Sequence, residues 1–121
     1  MSALLQTFQL STINHDIMLH PAWRGDVRGL HAEKILKKHQ TPYLYILRAG
    51  EKTTENETDY YVSFLLPDLT TKHVPFIITV LSEGWYYDNT GSGGPYNNST
   101  IDDVLYLIMH CNKEECKPLQ K

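Results

Sequence analysis

The chain has 121 residues and a mass of 14.0 kDa, a length that corresponds to one domain with a single sizeable core. Eleven Lys and Arg residues against fourteen Asp and Glu residues give a formal charge of -3, so no global basic field indicates nucleic-acid binding. No apolar run approaches the roughly 18–20 residues that a membrane span requires, and we expect no membrane association.

The chain contains two cysteines, Cys111 and Cys116, both near its C-terminal end. Two cysteines are too few for a disulfide scaffold, and free thiols in a reducing, cytoplasmic setting are the simplest interpretation. The first ten residues lack the basic and long apolar regions of a signal peptide, which favours the same location.

Apolar residues recur at helical spacing over residues 27–39, with charged residues between them, which predicts an amphipathic helix. Thr41 and Pro42 follow this helix and force an extended exit from it. Residues 43–48 predict a strand, because aromatic and branched side chains favour a pleated surface. Both alternating faces of this strand are apolar, so we expect it to be central and covered on both sides.

Three further strands are predicted over residues 60–66, 76–81 and 85–88, and their short connections favour antiparallel hairpins. A Gly-rich loop covers residues 89–98. The apolar residues of 101–109 then fall at i, i+3, i+4, i+7 and i+8, which predicts a second helix. This order of elements predicts an α+β fold in which a central antiparallel sheet is flanked by one α-helix on each face.

Arg48 is the residue that does not fit this predicted core. It shares the parity of Leu44 and Ile46 on the central strand, so its side chain should point into covered space. A guanidinium stays charged, and its burial is costly unless an anion accompanies it. The anion is either an internal carboxylate, such as that of Glu51, or an external phosphate or carboxylate whose oxygen edge matches the guanidinium fork.

Several segments, taken in chain order, resemble the Src homology 2 family, including its opening Trp and Gly, its first helix and its phosphotyrosine-binding Arg. The resemblance covers about residues 22–110 and predicts an N-terminal arm at 1–21 and a C-terminal tail at 111–121. It is carried by Trp23-Arg24-Gly25-Asp26-Val27, Ala32-Glu33-Lys34-Ile35-Leu36, Tyr45-Ile46-Leu47-Arg48-Ala49-Gly50-Glu51, Tyr60-Tyr61-Val62-Ser63-Phe64, Lys72-His73, Gly84-Trp85-Tyr86-Tyr87 and residues 99–110.

The resemblance implies that Arg48 grips the phosphate of a phosphotyrosine bidentately. His73 and Ser63 match positions that line the phosphotyrosine pocket. A polar connection that would close over the phosphate supplies three more candidates: Lys52, Thr53 and Thr54.

This chain departs from the family pattern at three pocket positions. Gly29 stands where many members carry a phosphate-contacting Arg, and Arg28, one residue earlier, could substitute for it if the helix start shifts. Gly50 replaces the usual Ser, which removes one hydroxyl donor. Pro75 stands where a residue often packs on the phosphotyrosine ring.

The implied function is that of a noncatalytic, monomeric signalling module that binds tyrosine-phosphorylated proteins and needs no cofactor or metal. The Gly-rich loop and the short tail predict a poorly formed second pocket, and therefore weak selectivity for residues flanking the phosphotyrosine. This reduced form resembles divergent members found among bacterial effectors as much as animal signalling modules. We therefore expect the protein to act in the cytoplasm, either of its own cell or of a host cell.

The sequence leaves three alternative functions to consider. The first is a structural protein-interaction domain of the same fold, which binds no phosphate and pairs Arg48 internally. The second is a tyrosine phosphatase around Cys111, which we do not favour because Lys117 replaces the required Arg and two Glu residues occupy the loop. The third is a metal site at His110, Cys111 and Cys116, which has no evident fourth ligand.

Overall fold

A computed structural model describes residues 15–53, 57–81, 84–88 and 101–120. The fold of this part of the chain is α+β. After one helical turn at residues 15–18, the elements in chain order are α1 (Gly29–Lys37), β1 (Leu44–Thr53), β2 (Glu57–Leu65), β3 (Thr71–Leu81), β4 (Gly84–Asp88), α2 (Ile101–Met109) and β5 (Lys117–Pro118).

The described strands form one sheet in the order β4-β3-β2-β1-β5. Strands β1 to β4 pair antiparallel with their neighbours, as the short connections predict. Strand β5 pairs parallel to β1, so the expectation of a wholly antiparallel sheet is wrong for this edge. The cause is the turn after α2, which returns the chain alongside β1, where the N–H groups of Lys117 and Leu119 donate to the carbonyls of Tyr43 and Tyr45.

The strands are longer than the sequence pattern predicts. β1 continues to Thr53 and β2 begins at Glu57, so much of the predicted polar connection is part of a hairpin. β3 begins at Thr71 although Pro75 interrupts it. β4 pairs only with residues 77–81, so Pro75 lies where one side of β3 has no described partner strand, and a residue without an N–H is tolerated there.

Consecutive residues of β1 belong to two different hydrophobic clusters. Tyr45 and Leu47 lie in the cluster that contains the apolar side chains of α2. Leu44 and Ile46 lie in the cluster that contains Ala32 and Leu36 of α1. All four β1 side chains are buried, which confirms that both faces of this strand are covered.

The larger cluster also includes residues outside the predicted domain bounds of 22–110. Ile17 and Cys116 are both buried in it. His20 accepts a hydrogen bond at Nδ1 from the Ala22 N–H, so its Nε2 donates to Asp102 Oδ1 at 2.6 Å. This contact ties the segment before the sheet to the first turn of α2.

Cys111 and Cys116 form a disulfide, so the prediction of free thiols is wrong. The Asn112 side chain accepts hydrogen bonds from the N–H groups of Glu114 and Glu115, and the resulting turn brings the two cysteine Cα atoms to 6.2 Å. The bond also occupies the thiols that the phosphatase and metal alternatives would use. No helix in the described part of the chain is long and apolar enough to cross a membrane.

We predict that the disulfide stabilises the fold by restricting the unfolded chain. For a loop this short, the double substitution Cys111→Ala and Cys116→Ala should lower the free energy of unfolding by about 2 kcal/mol. Urea denaturation measures this change. Reduction of the wild-type protein should produce a similar loss and leave the double variant unchanged; equal stability of all samples would contradict the prediction.

Candidate functional site

Arg48 lies on β1 two residues beyond Ile46, on the face of the strand that packs against α1. Only 7% of its surface is exposed. The parity argument that placed it beside Leu44 and Ile46 is therefore confirmed. The hydrophobic cluster under α1 ends at Ile46, and the guanidinium occupies the next position along the same face.

The guanidinium is held by three groups from three parts of the chain. Its Nε donates to Ser63 Oγ at 2.9 Å, and its Nη1 donates to the Val27 carbonyl at 3.0 Å. Its Nη2 lies 3.4 Å from His73 Nδ1. The structure thus brings together Arg48, Ser63 and His73, of which Arg48 and His73 line a pocket and Ser63 does not. Three of the five guanidinium N–H donors have partners among the described residues, and two remain for a ligand.

Ser63 and His73 hold the Arg48 guanidinium in place through hydrogen bonds and supply no negative charge. They are paired across β2 and β3, and Ser63 Oγ lies 2.7 Å from His73 Nδ1. Because Arg48 can only donate, Ser63 Oγ accepts from its Nε. His73 Nε2 lies 3.6 Å from Glu33 Oε1. Ser63 is completely buried, so its hydroxyl positions Arg48 and is not accessible as a nucleophile.

Tyr61 is a site residue that the sequence analysis did not single out. It pairs directly with Arg48 across β1 and β2, and the guanidinium carbon lies 4.6 Å from the centre of its ring. This is a cation–π contact. Burial lowers the pKa of Arg48 from its ordinary value, and the nearby Tyr61 partly opposes that shift. The group remains a cation at neutral pH, since a guanidinium is not deprotonated in proteins.

No carboxylate among the described side chains lies within 4.0 Å of the Arg48 guanidinium. The internal salt bridge of the structural alternative has no described partner. Glu51, the candidate partner for that bridge, has a side chain that lies outside the described part of the structure. Arg48 is therefore a buried cation whose described contacts are a carbonyl, a hydroxyl and two rings.

A pocket of about 680 Å³ opens between the start of α1 and the sheet, and Arg48 lies in its wall. Tyr61 and His73 also line it from the sheet, and Val27, Arg28 and Gly29 line it from the helix side. Arg28 is exposed and has an extended backbone immediately before α1. The predicted site residue Arg28 thus lines the same space as Arg48 without a shift of the helix start.

Three predicted site residues cannot be compared with this geometry. Lys52 and Thr53 are the last residues of β1, and their side chains are not described; Thr54 lies outside the described residues. The packing of the two strands requires a glycine at position 50. A Cβ at this position would lie 2.3 Å from Asp59 Cβ, so the close approach of β2 excludes the Ser that the family usually carries.

The described geometry is a pocket with a buried, oriented guanidinium in its wall and a second Arg at its rim. Asp26 lines the rim as well, and it is exposed to solvent. Comparison with protein-family models gives no match for this chain, and comparison with curated proteins gives no significant match.

We predict that Arg48→Met leaves the free energy of unfolding within about 1 kcal/mol of the wild-type value, because it removes a buried charge that has no counter-charge. A structural ion pair would behave differently, since breaking one costs about 3–5 kcal/mol. Urea denaturation distinguishes the two cases. Val62→Ala, which truncates a buried side chain on the same sheet, serves as the destabilising control.

Proposed function

We propose that this chain is a phosphotyrosine-binding module of the Src homology 2 type. One observation carries the proposal: a guanidinium that is 7% exposed lines an open pocket, and no described carboxylate neutralises it. A buried charge costs free energy unless an opposite charge joins it. A phosphate carries about −1.5 to −2 charge at pH 7 and three acceptor oxygens, which suit the two remaining N–H donors.

The pocket walls favour a phosphate that is attached to an aromatic ring. The rings of Tyr61 and His73 line the pocket next to Arg48. A phenyl ring that carries the phosphate can pack against such surfaces, whereas the short side chains of phosphoserine and phosphothreonine leave them uncovered. Because Arg48 is recessed in the β1 face, an unmodified Tyr would leave its charge without a partner.

The core supports the same proposal. Separate hydrophobic clusters for α1 and α2, built from alternating β1 residues, support an arrangement with one helix on each face of the sheet. The module has weak selectivity for the residues that flank the phosphotyrosine. The module acts as a monomer, and its partners are tyrosine-phosphorylated proteins. The cytoplasmic location predicted from free thiols loses that support, because Cys111 and Cys116 are joined in a disulfide.

The alternative is a structural interaction domain of the same fold in which Arg48 is internally salt-bridged. No described contact of Arg48 favours it. The two proposals differ in one measurable property, which is the dependence of peptide binding on the phosphate.

We expect a fluorescent phosphotyrosine peptide to bind in a polarisation titration, and its unphosphorylated and phosphoserine counterparts to bind far more weakly. Arg48→Ala should cost about 2–5 kcal/mol of binding free energy, or at least roughly 30-fold in Kd, because the ligand loses a partly desolvated charge partner. Lys37→Ala removes an exposed positive charge from the far end of α1 and is the matched control. Equal binding of phosphorylated and unphosphorylated peptides would refute the proposal.

We expect Arg28→Ala to weaken phosphotyrosine-peptide binding by about two- to fivefold at low salt, since this cation lines the pocket but is exposed. The effect should shrink as ionic strength rises, because solvent-exposed charges are screened. Titrations at two salt concentrations measure both trends. A loss as large as that of Arg48→Ala would show instead that Arg28 is the principal phosphate ligand.

A further inference from the structure

The N-terminus of α1 lines the pocket at Gly29, a residue without a side chain. Gly29 is the first residue of the helix, and a Cβ built there would lie 3.8 Å from the His73 ring and 4.0 Å from Arg48 Nη2. These are ordinary contact distances, so the glycine is not required by the packing of the described residues. Its effect is to leave the helix backbone open to the same space as the guanidinium.

The first turn of α1 has unpaired backbone donors. Arg28, the residue before the helix, makes no side-chain capping hydrogen bond, and the first turn contains no acidic residue. The first N–H with a helical acceptor is that of Ala32, which donates to the Arg28 carbonyl at 2.9 Å. The N–H groups of Gly29, Leu30 and His31 have no acceptor among the described residues. Such a terminus carries a partial positive charge and attracts anions.

Arg48 supplies the second, independent indication of an anion at this place. Its side chain is more than nine-tenths buried, lines the pocket beside Gly29, and has no carboxylate partner among the described residues. The nearby acidic groups leave the helix terminus open. Glu33 is directed at His73 Nε2, and Asp26 is exposed at the rim.

We infer that the ligand phosphate is bound between the Arg48 guanidinium and the backbone N–H of Gly29. This inference rests on the proposed phosphotyrosine function and specifies how the phosphate is held. The backbone donor takes the place of the helix Arg that the family resemblance puts at this position. The glycine therefore contributes a donor and the space in which a phosphate oxygen can reach it.

A pair of substitutions at Gly29 separates the donor from the space. Gly29→Ala and Gly29→Pro both add a Cβ, but only proline removes the N–H. Proline is favoured at the first position of a helix, and Arg28 already has the extended backbone (φ −80°, ψ 159°) that a following proline requires. Both variants should unfold at or above the wild-type temperature, because each restricts the unfolded chain relative to glycine.

With the fluorescent phosphotyrosine peptide as probe, Gly29→Pro should bind about tenfold more weakly than Gly29→Ala, which is the effect of losing one hydrogen bond to a charged group. Equal affinities of the two variants, with wild-type binding intact and abolished by Arg48→Ala, would overturn this inference alone. Failure of the wild-type protein to bind the peptide would overturn the proposed function and this inference with it.

Amide NMR gives a measurement that does not depend on the proline variant. In the wild-type protein, adding phosphotyrosine should move the Gly29 N–H proton resonance downfield, and adding tyrosine should leave it in place. The same titration of Arg48→Ala should show no shift. An unmoved Gly29 amide under saturating phosphotyrosine would overturn the inference.

Discussion

The site depends on a guanidinium that is buried, fully oriented and not neutralised by any described side chain. Arg48 is covered because β1 packs on both faces, and it is satisfied by a carbonyl, a hydroxyl and a ring rather than by a carboxylate. These partners take three of its five N–H donors and supply no negative charge. Burial of such an uncompensated charge costs free energy.

The alternation of side chains along β1 places both the core residues and the guanidinium of the site. Leu44 and Ile46 pack under α1, and Arg48 follows them at the next position of that face. The helix cannot move away from the sheet without disturbing Val27, whose carbonyl holds the guanidinium. Packing of α1 on β1 therefore fixes both the position of the cation and the distance to the helix terminus opposite it.

The sequence was sufficient for features that depend on local periodicity. The parity of β1 predicted the burial of Arg48, and the family resemblance selected Ser63 and His73. Tyr61 was missed because its position under the guanidinium depends on the register between β1 and β2, which a strand pattern alone does not specify. Gly50 was noted only as a lost hydroxyl, since the approach of Asp59 is visible only in the paired strands.

The disulfide and β5 were missed for a related reason, because each depends on how the turn after α2 is folded. That turn has an effect beyond the tail itself. The Leu119 carbonyl accepts a hydrogen bond from Arg24, and the Lys117 and Leu119 amides cover the start of β1. A chain truncated after the second cysteine would leave the carbonyls of Tyr43 and Tyr45 on an open sheet edge, where a neighbouring copy could add a strand and nucleate aggregation.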